Sequence, residues 1–295
     1  MTTTRYFASL LSITLVSGTI GALAQQIPYD ENANRAMRHA TPEWAMVGPH
    51  MPDPHTATPE KLSEAADVLR ARRMQEDALD YYRYALQRGG DETKLQNNIG
   101  VTLLELNRFP EARIAFKRAV KLKPKYAQGW NNLGATEYSA GNPKAALGDY
   151  LRAVKLDKKS AVYHSNLGTA YFELKDYESA RSEFERAVKL DHGVFQTGGW
   201  AGVEARVLST SDRARYCFEM AKMAARMHDA DNVVRWLARS SESGFDVKHE
   251  MAADKDFDPY RKDPRILLAI QNAHAIRTGQ VAESGLTPSS PDQTP

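Results

Sequence analysis

Cross-links are the first thing this chain lacks: Cys217 is its one cysteine in 295 residues, so no internal disulfide can form and stability has to come from packing. Charge of one sign is lacking too. Lysine and arginine number 39 against 37 aspartate and glutamate, a net charge of +2. No long like-charged block supplies the basic face that phosphate backbones require, so no nucleic-acid partner is expected. Long apolar runs are lacking beyond the N-terminal segment. Catalytic signatures are lacking as well. There is no G-x-S-x-G, no H-E-x-x-H and no phosphate-binding glycine loop, and the nearest fragment, His249-Glu250, has no second histidine. These absences point away from an enzyme and imply no catalytic residues, no metal and no cofactor.

Between Arg5 and Asp30 no residue is charged, and the stretch Phe7-Ala-Ser-Leu-Leu-Ser-Ile-Thr-Leu-Val16 is apolar. Ser9, Ser12, Thr14, Ser17 and Thr19 dilute it below what a spanning helix carries, and Ala22-Leu23-Ala24 has the small-x-small form of a cleavage site. Residues 1–24 therefore read as a signal peptide cleaved after Ala24. The expectation is an exported chain, periplasmic or secreted, with no stable membrane span after processing; the alternative is an uncleaved anchor in the inner membrane. Residues 25–58, with Pro28, Pro42, Pro49, Pro52 and Pro54 and no sustained period, read as a Pro-rich linker, and 279–295 as a disordered tail. His39, His50 and His55 match no closed zinc spacing and read as linker residues. Cys217 lies in an apolar pattern with Tyr216, Met220, Met223 and Ala224, where a small buried hydrophobe fits.

What is present is a period of 34 residues. Ala78, Ala112, Ala146 and Ala180 fall in register, as do Tyr82, Phe116, Tyr150 and Phe184, and Ala85, Ala119, Ala153 and Ala187. Gly100, Gly134 and Gly168 align with Ala66. The units run 59–92, 93–126, 127–160 and 161–194. Each carries apolar residues at helical spacing on two successive segments. In the third, Trp130, Leu133, Gly134 and Tyr138 share one face, and Ala146, Leu147, Tyr150, Ala153 and Val154 share another. Gly141, Asn142 and Pro143 read as a left-handed terminator, a cap and a first-turn proline; Asp176 takes the cap position in the fourth unit. Small residues at the glycine and alanine positions let paired helices approach closely.

These residues resemble the tetratricopeptide repeat family. Its pattern wants Leu and Gly at positions seven and eight, Ala at twenty, an aromatic at twenty-four and Ala at twenty-seven; the third and fourth units match throughout. Gln96 and His164 depart at position four and Glu137 at eleven, and Pro124 alone keeps the proline of position thirty-two. The resemblance implies an all-α fold: a right-handed superhelix of helix-turn-helix repeats, closed by a C-terminal capping helix. A degenerate fifth repeat is expected at 214–247, with Asp231 as a cap. An insert at 195–213, containing Gly198, Gly199, Trp200 and Gly202, would precede it, and a capping segment at 248–278 would follow.

By the same resemblance the first helices line a concave groove that docks a protein or peptide segment. The side chains implied for its wall are Lys94, Asn97, Asn98, Val101 and Leu104, then Gln128, Asn131, Asn132 and Tyr138, then Ser165, Asn166, Thr169 and Phe172. Asn98, Asn132 and Asn166 would form an amide ladder that pairs with a ligand backbone, and Leu104, Tyr138 and Phe172 an apolar strip. The basic clamp of chaperone-tail binders is missing, since position five carries Ser63, Asn97, Asn131 and Ser165. A non-catalytic scaffold is thus the expectation. A hydrolase or transferase with an unrecognised site in 195–275 and a self-assembling structural array are the alternatives.

Overall fold

The computed structural model describes residues 31–195 and 210–278, and the chain divides after Gly48. In the first unit α1 (Glu31–His39) and α2 (Pro42–Val47) follow one another. Thr41 Oγ1 accepts from the Trp44 amide at 3.2 Å, Pro42 opens the helix, and the His39 and Trp44 rings stack at 3.7 Å. The Pro-rich linker expected over 25–58 is corrected here. One of its prolines, Pro42, sits at a helix start, where proline is tolerated, and a local cap holds the helical turns without a long periodic stripe.

From Pro59 the chain alternates helix and tight turn. Four antiparallel hairpins follow: α3 (Pro59–Ala71) with α4 (Gln75–Gln87), α5 (Glu92–Glu105) with α6 (Phe109–Leu122), α7 (Ala127–Ser139) with α8 (Pro143–Leu156), and α9 (Ala161–Glu173) with α10 (Tyr177–Leu190). No strand occurs among the described residues. Each helix packs on its hairpin partner and on the next helix in the chain, and the first helices α5, α7 and α9 touch in succession. Ala78, Ala112, Ala146 and Ala180 are wholly buried, as are Phe116 and Phe184. A Cβ added at Gly134 would stand 2.7 Å from the Tyr150 ring, and one at Gly168 would stand 2.6 Å from the Phe184 ring. Glycine is what allows those helices to touch.

The hairpin turns share one geometry. Arg73, Asn107, Gly141 and Lys175, each 34 residues apart, have φ of +62°, +57°, +84° and +64°. After each, a backbone amide reaches back across the helix end: Met74 to Leu69, Arg108 to Leu103, Asn142 to Glu137, Asp176 to Tyr171, at 2.8–3.0 Å. Asp176 caps α10 through the Ser179 amide at 3.2 Å, as expected. Asn142 makes no cap bond; its side chain turns back to donate to Glu137 at 3.2 Å. Two departures from the repeat pattern prove to be polar ties. Glu137 accepts both arms of Arg113 at 2.6 and 2.9 Å, and buried His164 has Glu183 at 2.5 Å on one ring nitrogen and the Lys158 carbonyl at 3.1 Å on the other.

A fifth hairpin joins α11 (Thr210–Arg226) to α12 (Ala230–Glu242). His228 takes the left-handed position at φ +58°, and the Asp229 amide closes on the Ala224 carbonyl at 3.0 Å. Asp229, rather than the expected Asp231, caps α12 by accepting from the Asn232 amide at 3.1 Å. Asp231 instead pairs with Arg265 at 2.9 Å. The expected insert lies mostly at 196–209, outside the described residues, as do its glycines and Trp200; α11 already begins within its last residues. Then come α13 (Val247–Ala253), a 3₁₀ turn at Lys255–Tyr260 and α14 (Pro264–Thr278), which packs on α12 with Ile266 wholly buried. The expected signal peptide at 1–24 and tail at 279–295 also lie outside the described residues.

Candidate functional site

The first helix of every hairpin turns one stripe toward its partner and another toward the inner wall of the stack, and spacing alone assigns the residues of that wall. The coordinates divide them. Lys94 and Gln128 are exposed, and Asn98, Val101, Leu104 and Asn132 are half-buried, so α5 and α7 present a contiguous mixed surface. Arg70 on α3 and Glu105 on α5 pair across its edge at 3.2 Å.

The remaining wall residues are inside. Asn97, Asn131, Ser165, Asn166 and Thr169 are buried. Tyr138 and Phe172 are only 2% and 5% exposed. Tyr138 belongs to the cluster of Ala146, Tyr150 and Leu167, while Phe172 meets the Tyr216 ring of α11 edge-on at 5.2 Å and the Tyr177 ring at 5.4 Å. The apolar strip expected to greet a ligand is therefore core at two of its three places. The physical reason is α11, whose Tyr216 also meets Phe184 at 5.8 Å and fills the space beside α9. Ser165 and Thr169 are closed off on the same helix, Thr169 donating its hydroxyl to the Ser165 carbonyl at 3.0 Å.

The amide ladder exists, but it runs along the protein. Asn166 Nδ2 donates to Asn131 Oδ1 at 2.9 Å, and Asn132 Nδ2 donates to Asn97 Oδ1 at 2.9 Å. Within each pair of neighbours, Asn131 donates to Asn132 at 3.4 Å and Asn97 to Asn98 at 3.5 Å. Position six of one repeat thus serves position five of the repeat before. Consecutive asparagines at five and six in two units, then asparagine at six in the next, were the signal for this pairing. In the first unit Ser63 stands where an amide would continue the relay, and its buried hydroxyl makes no hydrogen bond. The Asn98 amide is where the relay ends.

No group of three or more His, Cys, Asp or Glu side chains among the described residues is placed to hold a metal ion, and no helix there is long and apolar enough to cross a membrane. Cys217 is 3% exposed, and burial pushes its thiol up to about 11, which leaves it neutral and packed as a small hydrophobe.

Tetratricopeptide repeat models match residues 63–127 and 161–193. Among similar solved structures, YrrB, described as a TPR protein with an unusual peptide-binding site, is 17% identical over 65% of this chain and 91% of its own, with a TM-score of 0.43. PilF of Pseudomonas aeruginosa is 18% identical over 67% and 82%, with a TM-score of 0.46. MamA, residues 41 to the end, of Desulfovibrio magneticus RS-1 is 19% identical over 65% and 96%, with a TM-score of 0.46. Comparison with curated proteins gives no match. The register of the hairpins and the two matched segments together show that this chain carries tetratricopeptide repeats.

Proposed function

We propose that this protein is a non-catalytic interaction scaffold that docks an extended peptide or protein segment on the inner wall formed by α5 and α7. The observation that carries the reading is the end of the amide relay. Asn98, half-buried, accepts from Asn97 and has no further amide before it, because Ser63 replaces it. Its NH₂ group is available to a ligand carbonyl, flanked by Lys94 on one side and by Val101 and Leu104 on the other. One amide gives orientation, two apolar side chains give contact, and a cation gives a preference for an acidic neighbour. Tyr138 and Phe172 have no part in this reading, since they are core.

A photo-crosslinking amino acid at Leu104 tests it in the native cell. Crosslinks to a partner from position 104, absent when the probe stands at the outward-facing Ile114, are expected; Ile114 is 70% exposed. Crosslinks from 114 and none from 104 would move the docking surface off the inner wall. The reading also places the scaffold in an exported compartment. N-terminal sequencing of the purified mature protein is expected to begin at Gln25, and a chain retaining Met1 would contradict that placement.

A further inference from the structure

The small net charge hides a local concentration. From Lys117 to Lys159 there are ten basic residues against three acidic ones, Glu137, Asp149 and Asp157, so this stretch carries +7 in a chain of net +2. All ten basic side chains are exposed. Eight are lysines, and none of those has a carboxylate of the described residues within 4.0 Å, whereas arginines on either side of the stretch are paired, as in Arg113–Glu137 and Arg181–Glu219. The two arginines of the stretch are engaged: Arg118 holds Glu92 at 2.7 Å, and Arg152 lies 4.4 Å above the Trp130 ring.

Two of these lysines, Lys117 and Lys121, line a cleft between the second and third hairpins. Val120, Leu133 and Trp130 form its apolar part, with Lys117 and Lys121 on the α6 side and Ala145 and Asp149 on the α8 side. The Trp130 indole N–H donates to the Pro124 carbonyl at 3.0 Å, which fixes the ring between the turn carrying Lys123 and Lys125 and the helix carrying Arg152. Glu137 also reaches the cleft, but its charge is answered by Arg113.

We infer that this cleft between α6, α7 and α8 is a second docking surface, and that its occupant is an acidic protein segment bearing an apolar anchor residue. Unpaired ammonium groups at the rim leave the neutralising charge to the partner, and complementary charge sets approach and register. The apolar floor beside Trp130 requires a side chain to fill it. A nucleic acid fits less well. The arginine forks that would grip phosphate are engaged, Arg118 by Glu92 and Arg152 by the Trp130 ring, and a phosphate backbone has no apolar side chain to fill the floor. A bilayer surface is too flat to reach the floor of a cleft. This surface is independent of the inner wall, and either could fail without the other.

The test uses the full mature chain and a fluorescein-labelled peptide of glutamate and glycine with one central leucine, read by anisotropy. Binding is expected, weakened by added salt, and reduced about tenfold both by Lys117→Glu with Lys121→Glu and by replacing the peptide leucine with serine. Lys189→Glu, at an exposed position on α10 outside both surfaces, is expected to leave it unchanged, and circular dichroism to be unaltered in both variants. Absent binding, or equal binding to the charge-reversed variant, overturns the proposal. Tighter binding of an oligothymidylate or of phosphatidylglycerol vesicles than of the peptide also overturns it, and assigns the face to nucleic acid or to a membrane.

Discussion

Asp149 sits half-buried on α8 with Glu137 close by, and burial first, then that neighbouring carboxylate, pushes its carboxyl from 3.8 up to about 6, against the opposing pull of Lys117 and Arg152. Below the lower value the group is protonated both folded and unfolded and contributes nothing. Between the two values the unfolded chain releases a proton that the native one keeps, so stability falls as pH rises through this window and stays lowered above it. The shift corresponds to about 3 kcal/mol, which solvent screening at a side chain this exposed reduces to about 1 kcal/mol. Asp149→Asn is therefore expected to raise the melting temperature at pH 7 and to leave it unchanged near pH 3.5; equal effects at both would remove the electrostatic explanation. The asparagine relay gives a second expectation at this scale. Asn131→Ala strands the buried Asn166 donor and should cost about 1–3 kcal/mol, whereas Asn98→Ala, which loses only the longer 3.5 Å bond from Asn97, should cost less, about 1 kcal/mol, by urea denaturation. The repeat register placed these amides on one wall, but register says nothing of distance. Whether Asn166 faces a ligand or reaches Asn131 depends on how tightly α7 and α9 approach, and that is set by packing elsewhere.

Helix ends and helix contacts were legible in the sequence to different degrees. The glycine at position eight and the alanines at twenty and twenty-seven state directly that two helices touch, and they do. Gly168→Ala would drive a Cβ to 2.6 Å from the ring of wholly buried Phe184 and to 3.1 Å from the Ala180 carbonyl. Alanine's better helix propensity, about 1 kcal/mol, works against an overpacking cost of about 1–3 kcal/mol, so a net loss in chemical denaturation is expected. The turn position is a subtler case. Gly141 announces a left-handed residue, yet Arg73 and Lys175 adopt the same conformation with side chains that disfavour it and Asn107 with one that tolerates it, each held there by the amide that reaches back across the helix end. Lys175→Gly should relieve that strain and stabilise the fold by about 0.5–1 kcal/mol, after the greater freedom glycine gives the unfolded chain is counted. A destabilised Lys175→Gly protein would mean that the lysine side chain contributes something the turn geometry does not reveal. Asn142 was misjudged from sequence for a related reason. An amide at a helix start can serve the cap or a nearer carboxylate, and here Glu137 is nearer.

Over the whole repeat array, the four hairpins that hold the 34-residue register need only their neighbours, whereas the fifth is displaced and joins them through a smaller surface. That surface is where sequence reasoning stopped. It could place α11 and α12 but could not foresee that Tyr216 would close over Phe172 and Phe184, because no period links them. The join also contains a buried ion pair: Arg181 of α10 with Glu219 of α11, both nearly inaccessible, with Arg215 adding a second hydrogen bond to Glu219 at 2.9 Å. Breaking one side of such a pair leaves a charge in the interior, at a cost of about 3–5 kcal/mol, while replacing both partners by apolar residues of similar volume is close to neutral. Arg181→Met alone is therefore expected to release α11, α12 and α14 before the rest of the array. Hydrogen exchange would show lost protection in residues 210–278 while α5 to α8 stay protected. Arg181→Met combined with Glu219→Leu should restore most of that protection. If the two substitutions instead add their costs, or if protection falls evenly from α3 to α14, the ion pair is not what fastens the last hairpin to the repeats.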